Sequence, residues 1–261
     1  MSARWIALVL GALLLSAVSS AVAEPIMKPR KYYGPIPQSM VWLRGGFYDG
    51  ASNEEMNAYL DGLVQDPFTE TINDFGAAFL IEAGYGHKPH PQFGVRINAG
   101  VSFLSSEANG NKDPEGSTVD TLVVDYAREF KVELIVVELS GIYFLSDAAV
   151  KEFQSYIGGG FSVGFPRESF EETQVDIDTG QYIQTIESSE WGGMSAGVHG
   201  VLGAIYYLTN TFGITTEGRV QLMEGKYDQL QAPNEVNELE DVSFVVDYTG
   251  FYITVGVLWG F

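Results

Sequence analysis

The clearest alternation of apolar and other positions in the chain is at its C-terminal end. Phe251, Ile253, Val255, Val257, Trp259 and Phe261 share one parity and are all apolar, whereas Tyr252, Thr254, Gly256, Leu258 and Gly260 share the other and are small or mixed. Successive side chains of a strand point to opposite faces, so this stretch predicts a strand with one continuously apolar face. The same period recurs upstream. Over 40–48, Val41, Leu43, Gly45 and Phe47 oppose Trp42, Arg44 and Gly46. Over 76–85, Ala77, Phe79, Ile81, Ala83 and Tyr85 oppose Ala78, Leu80, Glu82 and Gly84. Over 93–103, Phe93, Val95, Ile97, Ala99, Val101 and Phe103 oppose Gly94, Arg96, Asn98, Gly100 and Ser102. Further strands are predicted at 131–144, 153–165, 193–208 and 212–223, and the alternation slips between Val137 and Glu138, which predicts a β-bulge there.

These segments make eight strands, and their connections alternate in length. Short turns fall at 87–91, 146–152 and 210–211; the other connections are long and polar. An all-antiparallel barrel with turns at one end and loops at the other has this rhythm, and a β-sandwich does not require it. The first long loop carries a Ser52/Glu55 capping box followed by Met56, Tyr59, Leu60, Leu63 and Val64 at helical spacing, which predicts one short amphipathic helix. Part of the acidic loop over 166–190, around 181–186, is expected to extend a strand above the membrane. Aromatics stand at the short-turn end of the strands (Trp42, Tyr85, Phe93, Tyr143, Phe144, Phe153, Tyr206, Tyr207, Phe212, Trp259 and Phe261), where an interfacial girdle would lie. About 11 residues at ~3.3 Å each, tilted by ~45°, span the ~25 Å apolar band of such a barrel.

The N-terminal stretch belongs to targeting rather than to the fold. Arg4, an apolar run over 5–15 and Ala21-Val22-Ala23 read as a cleavable signal peptide over 1–23. Residues 24–39, with Pro25, Pro29, Pro35 and Pro37, read as a periplasmic lead-in, which leaves 40–261 for the barrel. No later apolar run approaches the ~18 residues of a helical span. Cysteine is absent, which rules out disulfides and a lipid-anchored cysteine. The net charge of −20 argues against a nucleic-acid partner and is assigned to solvated loops.

The closing strand, the strand count and the loop asymmetry resemble the small outer-membrane β-barrel family, the OmpA/OmpX/OmpW-like proteins. The resemblance implies an all-β fold: an eight-stranded antiparallel transmembrane barrel in up-and-down order, monomeric, in the outer membrane of a Gram-negative-type bacterium. It implies contact with outer-membrane lipid and lipopolysaccharide. It also implies that Phe261, with Trp259, Val257, Val255 and Ile253, is the signal read by the barrel-assembly machinery. Three roles come with it: an OmpA-like structural or surface-interaction barrel, an OmpW-like narrow conduit for small or hydrophobic molecules, and a lipid-modifying enzyme. The wall tether of OmpA is not expected here, since no peptidoglycan-binding domain follows Phe261.

Candidate chemistry is confined to the inward parity. Arg44, Glu82, Arg96, Glu217 and Arg219 point inward, with Glu133 and Glu138 expected beside them. An eight-stranded barrel is just wide enough for side chains to fill, so these charges are expected to pair into a plug. Gly158, Gly160, Ser162, Gly197 and Gly203 leave room for a narrow cavity. The chain has three histidines: His87 and His90 in a predicted turn, and His199 inward with Ser195 on the same parity. Four strand residues separate Ser195 and His199 by ~13 Å, too far for a nucleophile and its base, and no enzymatic activity is expected. Asp176, Asp178 and Gly180 lack the remaining ligands of a calcium loop. No metal or cofactor is expected, and the ligand of the long loops is left open.

Overall fold

The structure is a computed structural model, and it describes residues 37–52, 71–72, 75–112, 124–145, 153–176, 182–191, 193–233 and 239–261. The stretches expected to be a signal peptide and the helix of the first loop, and most of the expected Pro-rich lead-in, lie outside these residues. The strands are β1 Ser39–Asp49, β2 Thr71–Ile72, β3 Ala78–His90, β4 Phe93–Lys112, β5 Val124–Phe144 and β6 Phe153–Asp176, then β7 Tyr182–Trp191, β8 Ser195–Tyr207, β9 Phe212–Pro233, β10 Leu239–Asp247 and β11 Gly250–Gly260.

Eight of them close a barrel. Antiparallel pairing runs β1–β3–β4–β5–β6–β8–β9–β11, and β11 returns to β1 from Met40↔Gly260 to Asp49↔Phe251. The seam ends in two backbone hydrogen bonds, Ser39 N–H to Phe261 O at 3.2 Å and Phe261 N–H to Ser39 O at 2.9 Å. The meander of eight is the one expected from the alternation.

The three remaining strands stand above it. β2 pairs with the upper part of β4, β7 with β6 from Arg167↔Trp191 upward, and β10 with β9. Where they are described, segments that read as polar loops are therefore largely sheet: β4 and β5 pair without interruption from Phe93↔Tyr143 to Lys112↔Val124. A bilayer needs only about 11 of those residues. β6 exchanges its partner β8, last paired at Gly164↔Ser195, for β7 above. Pro166, which has no N–H to donate, sits in that gap of the ladder.

The barrel is apolar outside and encloses buried charged and polar side chains. Phe161 is 70% exposed and Val255 59%, whereas Arg44 and Glu217 are each 2%. Phe47, Phe79, Ile97, Leu139, Val198 and Val220 continue the exposed apolar band around the wall. Water would not tolerate a contiguous band of this kind; a bilayer requires it. Tyr85, Phe93, Tyr143, Tyr206, Trp259 and Phe261 form the exposed aromatic girdle at the short-turn end. Trp42, Phe144 and Tyr207 do not join it: they point inward and are buried in the floor of the lumen.

Two further expectations are corrected. β5 has no bulge; its burial alternates regularly from Phe130 to Phe144, and its register is unbroken against β4 and β6. The apparent slip arose because Val132, Leu134 and Val136 face inward, which makes both faces apolar. The turn after Tyr85 is shorter than expected, because β3 continues to His90 with a register shift after His87.

Inside, the side chains are layered. An upper apolar cluster includes Tyr48, Leu80, Leu104, Phe130, Leu134, Phe170 and Tyr252. A lower one includes Met40, Trp42, Ile142, Phe144, Tyr156, Ile205, Tyr207 and Leu258. Arg44, Glu82, Arg96, Glu138, Glu217 and Arg219 occupy the layer between them.

Candidate functional site

Six of the seven predicted charges converge in the lumen. Arg44 on β1 places Nε 2.5 Å from Glu82 Oε1 and Nη1 2.8 Å from Glu217 Oε2. Arg96 on β4 grips Glu217 with both terminal nitrogens, Nη1 on Oε2 and Nη2 on Oε1 at 2.9 Å. Arg219 on β9 reaches Glu82 Oε2 at 2.6 Å, Glu138 Oε1 at 2.7 Å and Glu217 Oε1 at 3.2 Å. Three cations thus meet three carboxylates, all buried. Removing charges from water is costly, and this arrangement meets the cost with charge balance and bidentate contacts.

Neutral side chains complete the network. Tyr156 O–H donates to Glu217 Oε2 at 2.7 Å, and Asn98 Nδ2 donates to Glu138 Oε2 at 3.1 Å. Trp42 Nε1 donates to Asn98 Oδ1 at 3.1 Å. The guanidinium carbons of Arg44, Arg96 and Arg219 lie 5.4, 5.8 and 5.1 Å from the ring centres of Trp42, Tyr156 and Tyr252. Aromatic faces thus add a weaker attraction to the hold of the carboxylates on these cations.

Glycine makes the room for these large side chains. A Cβ on Gly203 would lie 2.3 Å from the Tyr156 ring, and one on Gly84 would lie 2.3 Å from Asn98 Oδ1 and 2.5 Å from the Trp42 ring. The space expected over Gly203 for a narrow cavity is filled by the neighbouring strand's aromatic ring.

Glu133 does not take part. Its parity is opposite to that of Glu138, because β5 carries no bulge, and it stands on the outer wall. There it lines a cavity of about 480 Å³ with Phe103, Lys131 and Arg167, above the apolar band.

The histidines are separated. His199 does not meet Ser195; it bridges Ser140 Oγ and Ser162 Oγ, each at 2.8 Å from a ring nitrogen, on β5 and β6. That serine–histidine contact is buried in the lumen beside Glu138, not at the outer rim where a lipid substrate would lie. His87 Nδ1 contacts Ser39 Oγ at 3.1 Å, and His90 Nδ1 accepts from the Gln92 N–H at 3.3 Å. Among the described residues no three His, Cys, Asp or Glu side chains cluster as metal ligands. Asp178 and Gly180 lie outside the described residues.

Sequence reasoning missed Lys88 and Gln154, which meet at the floor of the lumen with Nζ 2.7 Å from Oε1. The signal was available for Gln154, which shares the inward parity of Tyr156 on β6, and was hidden for Lys88 by the flanking turn-forming residues.

No family model matches this chain, and no curated protein matches it. Solved structures do. The outer membrane protein OprG from Pseudomonas aeruginosa is similar over 88% of this chain and 99% of its own, with 14% identity and a TM-score of 0.51. The chain has the small outer-membrane β-barrel fold. The N-terminal β-barrel domain of Pseudomonas aeruginosa OprF is a looser likeness, with 12% identity over 86% of this chain and 98% of that one and a TM-score of 0.38.

Proposed function

We propose that this protein is an integral outer-membrane barrel with a closed lumen, and that it acts through the sheet and loops it raises above the membrane in a structural or surface-interaction role. The observation that carries the reading is the balanced network of Arg44, Arg96 and Arg219 with Glu82, Glu138 and Glu217, sealed between two apolar layers. A solute path needs mobile or water-filled polar groups, and here each carboxylate is held by at least one guanidinium. The tall wall of β4, β5 and β6, continued by β7, offers the rigid platform that a surface contact requires.

The reading is non-enzymatic: His199 is shut inside the wall with Ser140 and Ser162. Ile253, Val255, Val257, Trp259 and Phe261 lie on the lipid-facing side of β11, where they would serve as the assembly signal while the barrel is open at that strand. Outer-membrane lipid and lipopolysaccharide are the surroundings such a wall would meet, and the protein works as a monomer. The test is solute retention by proteoliposomes. Vesicles containing the refolded protein should hold monosaccharide-sized solutes as tightly as protein-free vesicles; rapid equilibration would make the narrow conduit the working function.

A further inference from the structure

Lys88 is a fourth buried cation, and the six-residue network does not neutralise it. The residue is 5% exposed and lies inside the short-turn end of the barrel, within the register shift between His87 and His90 of β3. Its Nζ donates to Gln154 Oε1 at 2.7 Å and stands 3.9 Å from the centre of the Phe144 ring. The carboxylates of Glu82, Glu138 and Glu217 are taken up by the three arginines, and among the described residues no carboxylate pairs with this ammonium.

The partner of Lys88 is itself incomplete. Gln154 is fully buried, and its Nε2 has no hydrogen-bond partner. Oε1 and Nε2 belong to one carboxamide, so the unused amide hydrogens begin within a few ångström of the ammonium. An ammonium has three donors, and one of them is spent on Oε1. Two sets of unused donors and a positive charge therefore share one enclosed, aromatic-floored place. A buried charge without a counter-charge and buried donors without an acceptor are both strongly unfavourable.

We propose that Lys88 and Gln154 form a binding site for a small monovalent anion of halide size at the short-turn end of the lumen. One cation is matched by one negative charge; a phosphate dianion would need a second cation, and the arginines are already paired. N–H donors alone suit a spherical acceptor, which sets no requirement on its own geometry. The site does not depend on whether the lumen conducts.

The test is a thermal melt of the full chain refolded in detergent, in sodium chloride against sodium gluconate at equal ionic strength. The wild type should show a saturable rise of about 3 °C with chloride. Lys88→Met removes the charge and should abolish the response. Gln154→Glu places a carboxylate against the ammonium, so it should fold without chloride and ignore it. Crystals grown in bromide should show an anomalous peak within hydrogen-bond distance of Lys88 Nζ and Gln154 Nε2. A wild-type melt indifferent to chloride, a full chloride response in either variant, or a bromide-free site would each overturn the proposal.

Discussion

Arg219 on β9 reaches the carboxylate of Glu82 on β3 at 2.6 Å, across a lumen whose wall places β11 and β1 between the two strands. The same guanidinium holds Glu138 at 2.7 Å from the other side. One side chain thus ties three separated parts of the wall together, and the charge layer acts as a cross-brace as well as a plug.

Arg219→Ala leaves Glu82 and Glu138 short of a partner in a dry place. The expected cost is about 3–5 kcal/mol of stability, the usual result of breaking a buried pair. Urea titration of the bilayer-inserted protein measures it. Replacing Arg219 and Glu138 together by leucine should cost less than the single alanine substitution, because Arg44 and Arg96 then remain balanced by Glu82 and Glu217.

Gly203→Val tests the fit between neighbouring strands. The new side chain starts 2.3 Å from the Tyr156 ring, so the ring must leave and Glu217 loses its hydroxyl donor. A loss of about 1–3 kcal/mol is expected from overpacking. Adding Tyr156→Ala should return part of it, and equal losses in the single and double variants would contradict the packing relationship.

The depth of the membrane is testable by charge. Val255→Arg on the lipid-facing wall should cost about 2–4 kcal/mol in a bilayer, whereas Ser105→Arg, beside Lys131 above the band, should cost no more than ~1 kcal/mol. Equal costs at the two positions would place the boundary wrongly.

Phe261→Ser removes an exposed side chain while leaving the backbone bonds to Ser39 in place. If the aromatic end is an assembly signal, the variant should refold in vitro at the wild-type rate and insert poorly in cells. Slow refolding in vitro would make Phe261 a structural residue instead.

The outer wall was legible in the sequence wherever one face met lipid and the other met a polar lumen, as in 93–103, where Val95, Ile97 and Val101 point out and Arg96, Asn98 and Ser102 point in. Legibility failed where that contrast fails. Above the membrane the outward Ser105 and Glu107 are polar as well, so Ser105 to Lys112 read as loop. On β5 the inward valines and leucine beside outward Ile135 and Val137 imitated a slip, and Glu133 was carried inward with it. Trp42, Phe144 and Tyr207 read as girdle because an aromatic at a strand end fits either face. Lys88 was concealed by Pro89 and Pro91, which signal a turn before β3 has ended. Of the charged site, five positions followed from parity alone; their partners did not, since Arg44 and Glu217 are 173 residues apart and only barrel closure brings them to 2.8 Å.

Single-channel recording in a planar bilayer tests the closed lumen most directly, with the wild type beside an Arg96→Ala, Arg219→Ala variant. The wild type should be silent, and the variant should either conduct or fail to insert as a folded barrel. Steady small conductance through the wild type, with the six-residue network intact, would contradict the plug and make transport the function of this barrel.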